Sequence, residues 1–161
     1  MRELNLMSTW CARPAARARI AGSPSYPDLH GSMDFYEAGE GTVVMASLWG
    51  LPYNPAPCAA NICAMHIHAG GACKGTQEEP FGDALGHYNP GNCPHPGHAG
   101  DLPPLFSNRG YAWLGVYTER VRIPEIIGHT VIIHAWRDDF TSQPAGDAGA
   151  RIGCGLIESL R

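Results

Sequence analysis

Glycine and proline interrupt this chain so often that no part of it can form a long helix. The 161 residues include 20 glycines and 14 prolines, and either residue weakens or ends a helix when it lies in the interior. Short apolar-rich segments lie between these breaks, and several show the alternation of half-buried strands. The segments are 16–21, 31–36, 42–49, 64–68, 111–120, 130–136 and 150–157. We predict strands there and no helix longer than two turns.

The pattern therefore predicts an all-β fold. About seven or eight short strands joined by turns and long loops are typical of an antiparallel sandwich or barrel. The length fits one domain, which we place at 16–161, behind an N-terminal arm at 1–15 without periodicity. Two Gly- and Pro-containing segments, 69–108 and 137–149, are too long to be ordinary connections, and such loops are usually functional or disordered.

Charge and hydropathy limit the partners and the compartment. A net charge of −4 argues against nucleic acid or an anionic membrane as a general partner, whereas a local positive field can still attract a small anion. The first 20 residues hold no apolar run long enough for a signal peptide or a membrane span. The default compartment is the cytoplasm, and periplasmic or extracellular export is the expectation if the N-terminus is trimmed. Six cysteines are more than a cytosolic domain of this size needs.

The span 66–101 is dense in metal-binding side chains and holds five of the eight histidines. Imidazole suits zinc and copper, and one carboxylate among several imidazoles suits zinc. His66 and His68 are two residues apart on a predicted strand, so they project from the same face. Met65 and Ile67 then face the other way and can pack in the core.

A second group of ligands lies in the loop that follows. Three imidazoles and one carboxylate make the closed, four-coordinate set that a structural zinc site requires. They are His87, His95, His98 and Asp101. Cys93 lies among them, but the set is full without it.

The pair on the strand needs a further partner from elsewhere in the chain. We assign His134, which ends the apolar run 130–133. His129 is the competitor, but it lies five residues away, faces the opposite side of a continuous strand, and follows Gly128 in a predicted turn. We predict that His129 and the remote His30 lie at the surface.

Five motifs, in order along the chain, resemble those of the copper–zinc superoxide dismutase family. They are Met65–His68, Gly86–Pro90 (GHYNP), His98–Leu102 (HAGDL), Val131–Asp139 (VIIHAWRDD) and Gly149–Ile157 (GARIGCGLI). The match covers about residues 64–157, with weaker similarity back to about residue 18. The resemblance implies a Greek-key β-sandwich or flattened barrel of about eight antiparallel strands, immunoglobulin-like, with two long functional loops.

The resemblance also implies one copper and one zinc ion per chain. The copper set would be His66, His68, His87 and His134, and the zinc set would be His87, His95, His98 and Asp101. His87 would join the two ions as an imidazolate, an anion that two adjacent dications strongly favour.

Further roles are implied for residues outside the two sets. Asp138 would accept hydrogen bonds from His66 and His95, which fixes the orientation and tautomer of each ring. Arg151 would attract and orient a small anionic substrate at copper. The loop before Arg151 is shorter than usual, and Ala145 stands where a channel threonine is common, so the family's steering loop is not matched.

The resemblance implies one disulfide, Cys73–Cys154. The remaining cysteines have no counterpart in the family pattern, and they are Cys11, Cys58, Cys63 and Cys93. Cys93 can pair with Cys58 or Cys63 or stay a free thiol, and spacing does not decide between these.

The expected activity is disproportionation of superoxide to dioxygen and hydrogen peroxide, with His87 delivering a proton. The alternative is an inactive family member, a zinc-stabilised module that binds or delivers copper, but such a member would lack a copper ligand or Arg151. An extracellular interaction module is a third reading, supported only by the fold class. Besides superoxide, we expect a second copy of the chain, forming a homodimer, and a copper donor protein as partners.

Overall fold

The computed structural model describes residues 13–161 and places nine strands in them. The strands are β1 (Ala16–Gly22), β2 (His30–Ala38), β3 (Gly41–Trp49), β4 (Ile62–Cys63), β5 (Met65–His68), β6 (Leu105–Phe106), β7 (Ala112–Thr118), β8 (Thr130–His134) and β9 (Arg151–Ser159). Helical structure in this part of the chain is a 3₁₀ turn at Gly82–Ala84 and a single turn, α1, at Ile123–Ile126. Most of the predicted arm, with Cys11, lies outside the described residues.

Seven of these strands form one curled antiparallel sheet in the order β5-β8-β9-β1-β2-β3-β7. β1, β2 and β3 follow one another as hairpins, whereas β5 and β7 reach the two edges through long crossing connections. β4 and β6 pair separately. The prediction of an all-β antiparallel fold is confirmed, and every predicted segment contains a strand. The tiny pair β4 and β6 was not predicted, because two residues carry no periodicity.

The core lies on the inner face of the sheet. Alternate residues of β2, such as Met33 and Phe35, are buried there, while their neighbours face outward. Met65 and Ile67 of β5 belong to the same core, as the alternation in the sequence predicts. All four residues of β5 are nonetheless buried, because loops cover the face that carries its histidines.

The long loop between β5 and β6 also covers the free edge of β5. The Ile67 N–H donates to the Gly100 carbonyl at 2.9 Å, and the Tyr88 N–H donates to the Ile67 carbonyl at 2.8 Å. The loop therefore continues the sheet beyond β5, which pairs with β8 on its other side.

A disulfide fixes the start of this loop to the last strand. Cys73 and Cys154 are bonded, at a sequence separation of 81, so the pairing implied by the resemblance is confirmed. Cys58 and Cys93 are exposed free thiols, and Cys63 is a buried one whose pKa burial raises to about 11. Within residues 13–161 no helix is long and apolar enough to cross a membrane.

Candidate metal centre

Strand β5, strand β8 and the loops beside them bring two groups of ligand side chains together. In the first group, which we call the strand group, the ligand atoms lie within 4.8 Å of one another, and the same holds for the second, the loop group. The strand group is His66, His68, His87 and His134; the loop group is His87, His95, His98 and Asp101. His87 belongs to both. These are the two sets named from the sequence, and His129 and His30 join neither.

In the strand group, every ring except that of His87 has one nitrogen fixed by a hydrogen bond. His68 donates from Nδ1 to the Leu85 carbonyl at 2.8 Å, and His134 donates from Nδ1 to the Gly149 carbonyl at 3.2 Å. His66 donates from Nε2 to Asp138 at 2.9 Å. These bonds set the tautomers, so the opposite nitrogen of each ring carries a lone pair and is free to bind a metal.

Burial keeps these rings neutral. Removal from water lowers the pKa of His68 to about 2 and that of His134 to about 3, and nearby His87 and Arg151 lower both further. The pKa of His66 is also lowered, chiefly by burial. A neutral imidazole is the form that coordinates a metal, so the strand group is ready to bind one near neutral pH.

The loop group has the spacing of a tetrahedral site. Two ligand atoms each about 2.0–2.1 Å from one tetrahedral ion lie about 3.3 Å apart. The Nδ1 atoms of His87 and His98 are 3.3 Å apart, and His98 Nδ1 is 3.2 Å from Asp101 Oδ1. His95 Nδ1 is 3.1 Å from Asp101 Oδ2, and His87 Nδ1 is closer to Oδ1, at 2.7 Å. Burial opposes ionisation of Asp101, but the His87 hydrogen bond and the nearby rings outweigh it and lower its pKa.

The fit to metals is clearest in buried atoms that make no hydrogen bond. Among residues 13–161, five buried side-chain nitrogen or oxygen atoms lack a hydrogen bond, and all five are ring nitrogens of these two groups. They are Nδ1 of His66, Nε2 of His68, His87 and His134, and Nδ1 of His95. A buried polar atom without a partner is costly. Four of these five nitrogens converge in the strand group, and a cation bound between them would give each nitrogen a partner.

Asp138 connects the two groups. Its Oδ2 accepts the His66 hydrogen bond, and its Oδ1 accepts one from His95 Nε2 at 2.9 Å. Burial disfavours the carboxylate, but the His66, Phe140 N–H and His95 hydrogen bonds outweigh burial and lower the pKa of Asp138 to about 2. The carboxylate therefore stays ionised and orients one ring of each group, as the sequence resemblance implies.

Arg151 lies beside the strand group and is held by the loop between β5 and β6. Its Nη1 donates to the Phe81 carbonyl and its Nη2 to the Leu85 carbonyl, both at 2.7 Å. The Leu85 oxygen also accepts the hydrogen bond from His68. A single carbonyl thus sets the guanidinium and a ligand ring relative to each other, and the guanidinium is only half-buried.

The two histidines that join neither group make other contacts, and His129 is half-buried rather than at the surface. His129 donates from Nδ1 to the Ala69 carbonyl at 2.8 Å and packs on Tyr88, with ring centroids 4.7 Å apart. His30 is exposed and stacks on Trp49.

Sequence reasoning missed two residues that shape the centre, Gly146 and Gln143. Gly146 has a φ of +68°, and a Cβ there would lie 1.9 Å from Asp138 Oδ1. The side chain of Gln143 exchanges two hydrogen bonds with the backbone of His95. A glycine in a glycine-rich loop gave no signal, and no spacing rule links Gln143 to a residue 48 positions away.

Comparisons with known proteins agree with this geometry. A family model described as copper/zinc superoxide dismutase (SODC) matches residues 29–157. The superoxide dismutase [Cu-Zn] of Photobacterium leiognathi is 32% identical over 150 residues, covering 81% of this chain and 87% of that protein. The superoxide dismutase [Cu-Zn] of Deinococcus radiodurans is 30% identical over 178 residues, covering 98% of this chain and 93% of that protein. The solved structure of the Cu/Zn superoxide dismutase from Brucella abortus superposes with a TM-score of 0.74 at 26% identity, over 89% of this chain and 99% of that chain.

Proposed function

The chain belongs to the copper/zinc superoxide dismutase family, and on that premise we propose which of its residues carry out the reaction. The protein is an oxidoreductase that binds copper and zinc and converts two superoxide anions and two protons to dioxygen and hydrogen peroxide. We assign copper to the strand group and zinc to the loop group, with His87 shared. The converging unpartnered ring nitrogens are the observation that carries this assignment.

Copper, when bound, supplies one-electron redox chemistry, and zinc, which has none, supplies a fixed charge and holds its loop. Every other part of the mechanism belongs to the chain. All the ligands are present together with Arg151, so nothing favours the inactive copper-binding alternative.

His87 is the proton carrier in this proposal. Its Nδ1 lies in the loop group, against Asp101 at 2.7 Å, while its Nε2 faces the strand group without a hydrogen bond. Nε2 can take up a proton and pass it to the reduced product while Nδ1 keeps the ring in place. Asp138 keeps His66 in one orientation meanwhile.

Arg151 binds the substrate. With Nη1 and Nη2 each fixed on a carbonyl, the guanidinium holds a positive charge next to His68 in a chain of net charge −4. Such a charge attracts and orients superoxide, and salt weakens the attraction because exposed charges are screened over about 8–10 Å at physiological ionic strength.

The test loads the purified chain with copper and zinc and assays superoxide removal at two ionic strengths. We expect one ion of each per chain and a rate that falls with salt. Full occupancy of both sites without superoxide removal would refute the mechanism.

Two variants test the ligand sets separately from activity. His87→Ala should weaken both metals, because the ring is shared. His68→Ala should release copper and keep zinc, because His68 belongs to the strand group alone. Equal zinc retention in the two variants would contradict the shared assignment.

We also propose that the protein works as a homodimer through the surface beside β4 and β6. Phe106 and Tyr53 are 65% and 46% exposed and, with Ile62, line an open groove of about 660 Å³; exposed apolar patches often mark interfaces. Phe106→Ser should shift the mass measured by light scattering from dimer to monomer. Phe140→Ser changes an exposed phenylalanine elsewhere, at 47% exposure, and should not. A monomeric wild-type protein would rule the homodimer out.

Export and copper delivery complete the proposal. The Cys73–Cys154 disulfide is typical of oxidising compartments, so we place the protein in the periplasm or outside the cell, and fractionation of the source cells tests this.

Because His66, His68 and His134 are almost fully buried, we expect copper to arrive from a donor protein. Rapid, complete loading from a small-molecule copper complex would remove the need for a donor.

A further inference from the structure

Gln143 makes a reciprocal pair of hydrogen bonds with the backbone of His95. The His95 N–H donates to Gln143 Oε1 at 3.0 Å, and Gln143 Nε2 donates to the His95 carbonyl at 2.7 Å. A primary amide is well suited to this, because it offers a donor and an acceptor side by side. The side chain therefore replaces the partners that a neighbouring strand would give His95, on a segment that belongs to no strand.

The same loop holds the ring of His95. Asp138 Oδ1 accepts from His95 Nε2, and Oδ1 also accepts from the Phe140 N–H at 2.7 Å. Segment 137–149 thus holds both the backbone and the side chain of His95. The ring bond fixes the direction of the ligand nitrogen, whereas the Gln143 pair fixes the position of the Cα from which the ring extends.

Segment 137–149 leads directly to Arg151 and is closed by its own backbone bonds. The Asp139 N–H donates to the Gly146 carbonyl at 2.9 Å, and the Gly146 N–H donates to the Ser142 carbonyl at 2.8 Å. Gln143 lies inside this closed turn. A displacement of Gln143 therefore displaces the stretch of backbone that leads to Arg151, and a displacement of that stretch reaches His95.

We propose that Gln143 is a positioning residue that couples zinc binding at His95 to the order of segment 137–149. The proposal rests on the assignment of zinc to the loop group. Zinc restrains the ring of His95, and the Gln143 pair transfers that restraint to the segment. Without Gln143 the ring bond to Asp138 remains, but the backbone of His95 and the turn at 142–146 lose their connection.

The experiment compares the wild-type protein with Gln143→Ala, Gln143→Glu and Gln77→Ala. Gln77 is the chain's other glutamine, is exposed in the loop before the 3₁₀ turn, and serves as the matched control. Two quantities are measured: the rate of zinc release to an excess of chromogenic chelator, and amide hydrogen exchange in 137–149 with and without zinc.

In the wild type, zinc should slow exchange in 137–149. Gln143→Ala should release zinc about tenfold faster, in line with other residues that support metal ligands, and should lose most of the zinc-dependent protection in 137–149. Gln143→Glu should behave like Gln143→Ala, because it keeps the acceptor for the His95 N–H but sets a carboxylate oxygen against the His95 carbonyl. Gln77→Ala should match the wild type.

Three results overturn the inference. If Gln143→Ala releases zinc at the wild-type rate and keeps the wild-type protection of 137–149, the hydrogen bonds between Gln143 and His95 do not couple the two. Wild-type behaviour in Gln143→Glu shows that the side chain only fills space. If segment 137–149 of the wild type exchanges equally fast with and without zinc, zinc binding does not order this segment. A wild type that binds no zinc at all instead refutes the ligand assignment under the proposed function, so the two failures are distinguishable.

Discussion

Replacing Gly146 with alanine should detach Asp138 from His95 and weaken both metal sites. The new Cβ would lie 1.9 Å from Asp138 Oδ1 and 2.7 Å from His95 Nε2, the two atoms that share a hydrogen bond. Even weak carbon–oxygen contacts require about 3.3 Å, so the carboxylate must move by more than about 1 Å. A movement of that size breaks the hydrogen bond.

Two costs combine in this variant. A hydrogen bond to a charged group contributes about 1.5–3 kcal/mol. The φ of +68° at position 146 lies in the left-handed region, where a side chain costs about 1–2 kcal/mol. We therefore expect a loss of about 2.5–5 kcal/mol in the free energy of unfolding, together with a 10–100-fold loss of metal affinity, roughly the effect of removing a residue that orients a ligand.

Gly128→Ala is the control, because Gly128 has a φ of +84° but no atom within 4 Å of the added Cβ. It isolates the backbone cost and should lose about 1–2 kcal/mol with metal affinity unchanged. Urea unfolding of the metal-free proteins gives the stability, and competition with a chelator gives the zinc affinity. If Gly146→Ala loses no more stability and no more zinc affinity than Gly128→Ala, the contact between the new Cβ and Asp138 has no effect and the reasoning is wrong.

Three further outcomes are expected. Replacing Cys73 and Cys154 with serine should lower the free energy of unfolding by about 4–5 kcal/mol, from the entropy of the 81-residue separation; an unchanged urea midpoint would contradict this. The metal-free protein should lose stability as the pH falls from about 6.5 to 4, because unfolded histidine protonates near 6.5 whereas folded His68 and His134 have pKa values of about 2 and 3. The unfolded state then binds more protons than the folded state, and each ring lowers the free energy of unfolding by up to about 1.4 kcal/mol per pH unit. A free energy of unfolding that calorimetry finds constant over this pH range would contradict the burial of these rings in neutral form. Arg151→Ala should slow superoxide removal about tenfold or more at low salt and abolish the salt dependence, and a retained salt dependence would locate the steering charge elsewhere.

Most of the candidate ligands that the structure brings together could be named from the sequence because their signals are local. His66 and His68 follow the two-residue period of a strand, and His95, His98 and Asp101 lie within seven residues of one loop. The alternation also placed Met65 and Ile67 in the core. Such patterns need only a few neighbouring residues to be specific.

Apart from Asp138, which the resemblance implies, the residues that hold the candidate ligands could not be predicted in the same way. Gly146 acts through its missing side chain, Leu85 acts through a carbonyl that any residue possesses, and Gln143 acts on a backbone 48 positions away. Whether Cys93 pairs also depended on where separate loops meet, and the structure leaves it free. In each case the information lies in tertiary geometry, and the residue type alone does not reveal it.

The way the loop backbone lies along β5 bears on how this protein resists aggregation. β5 is the last strand of its sheet, and beyond it the Tyr88 and Gly100 backbone groups occupy hydrogen-bonding positions at Ile67. An uncovered strand edge can pair with the edge of another molecule and start a growing stack of chains. His87 precedes Tyr88, and His98 and Asp101 lie close to Gly100 in sequence, so the zinc ligands proposed above flank these positions. On that assignment, loss of zinc should loosen the cover of the β5 edge, and metal supply should protect solubility as well as catalysis.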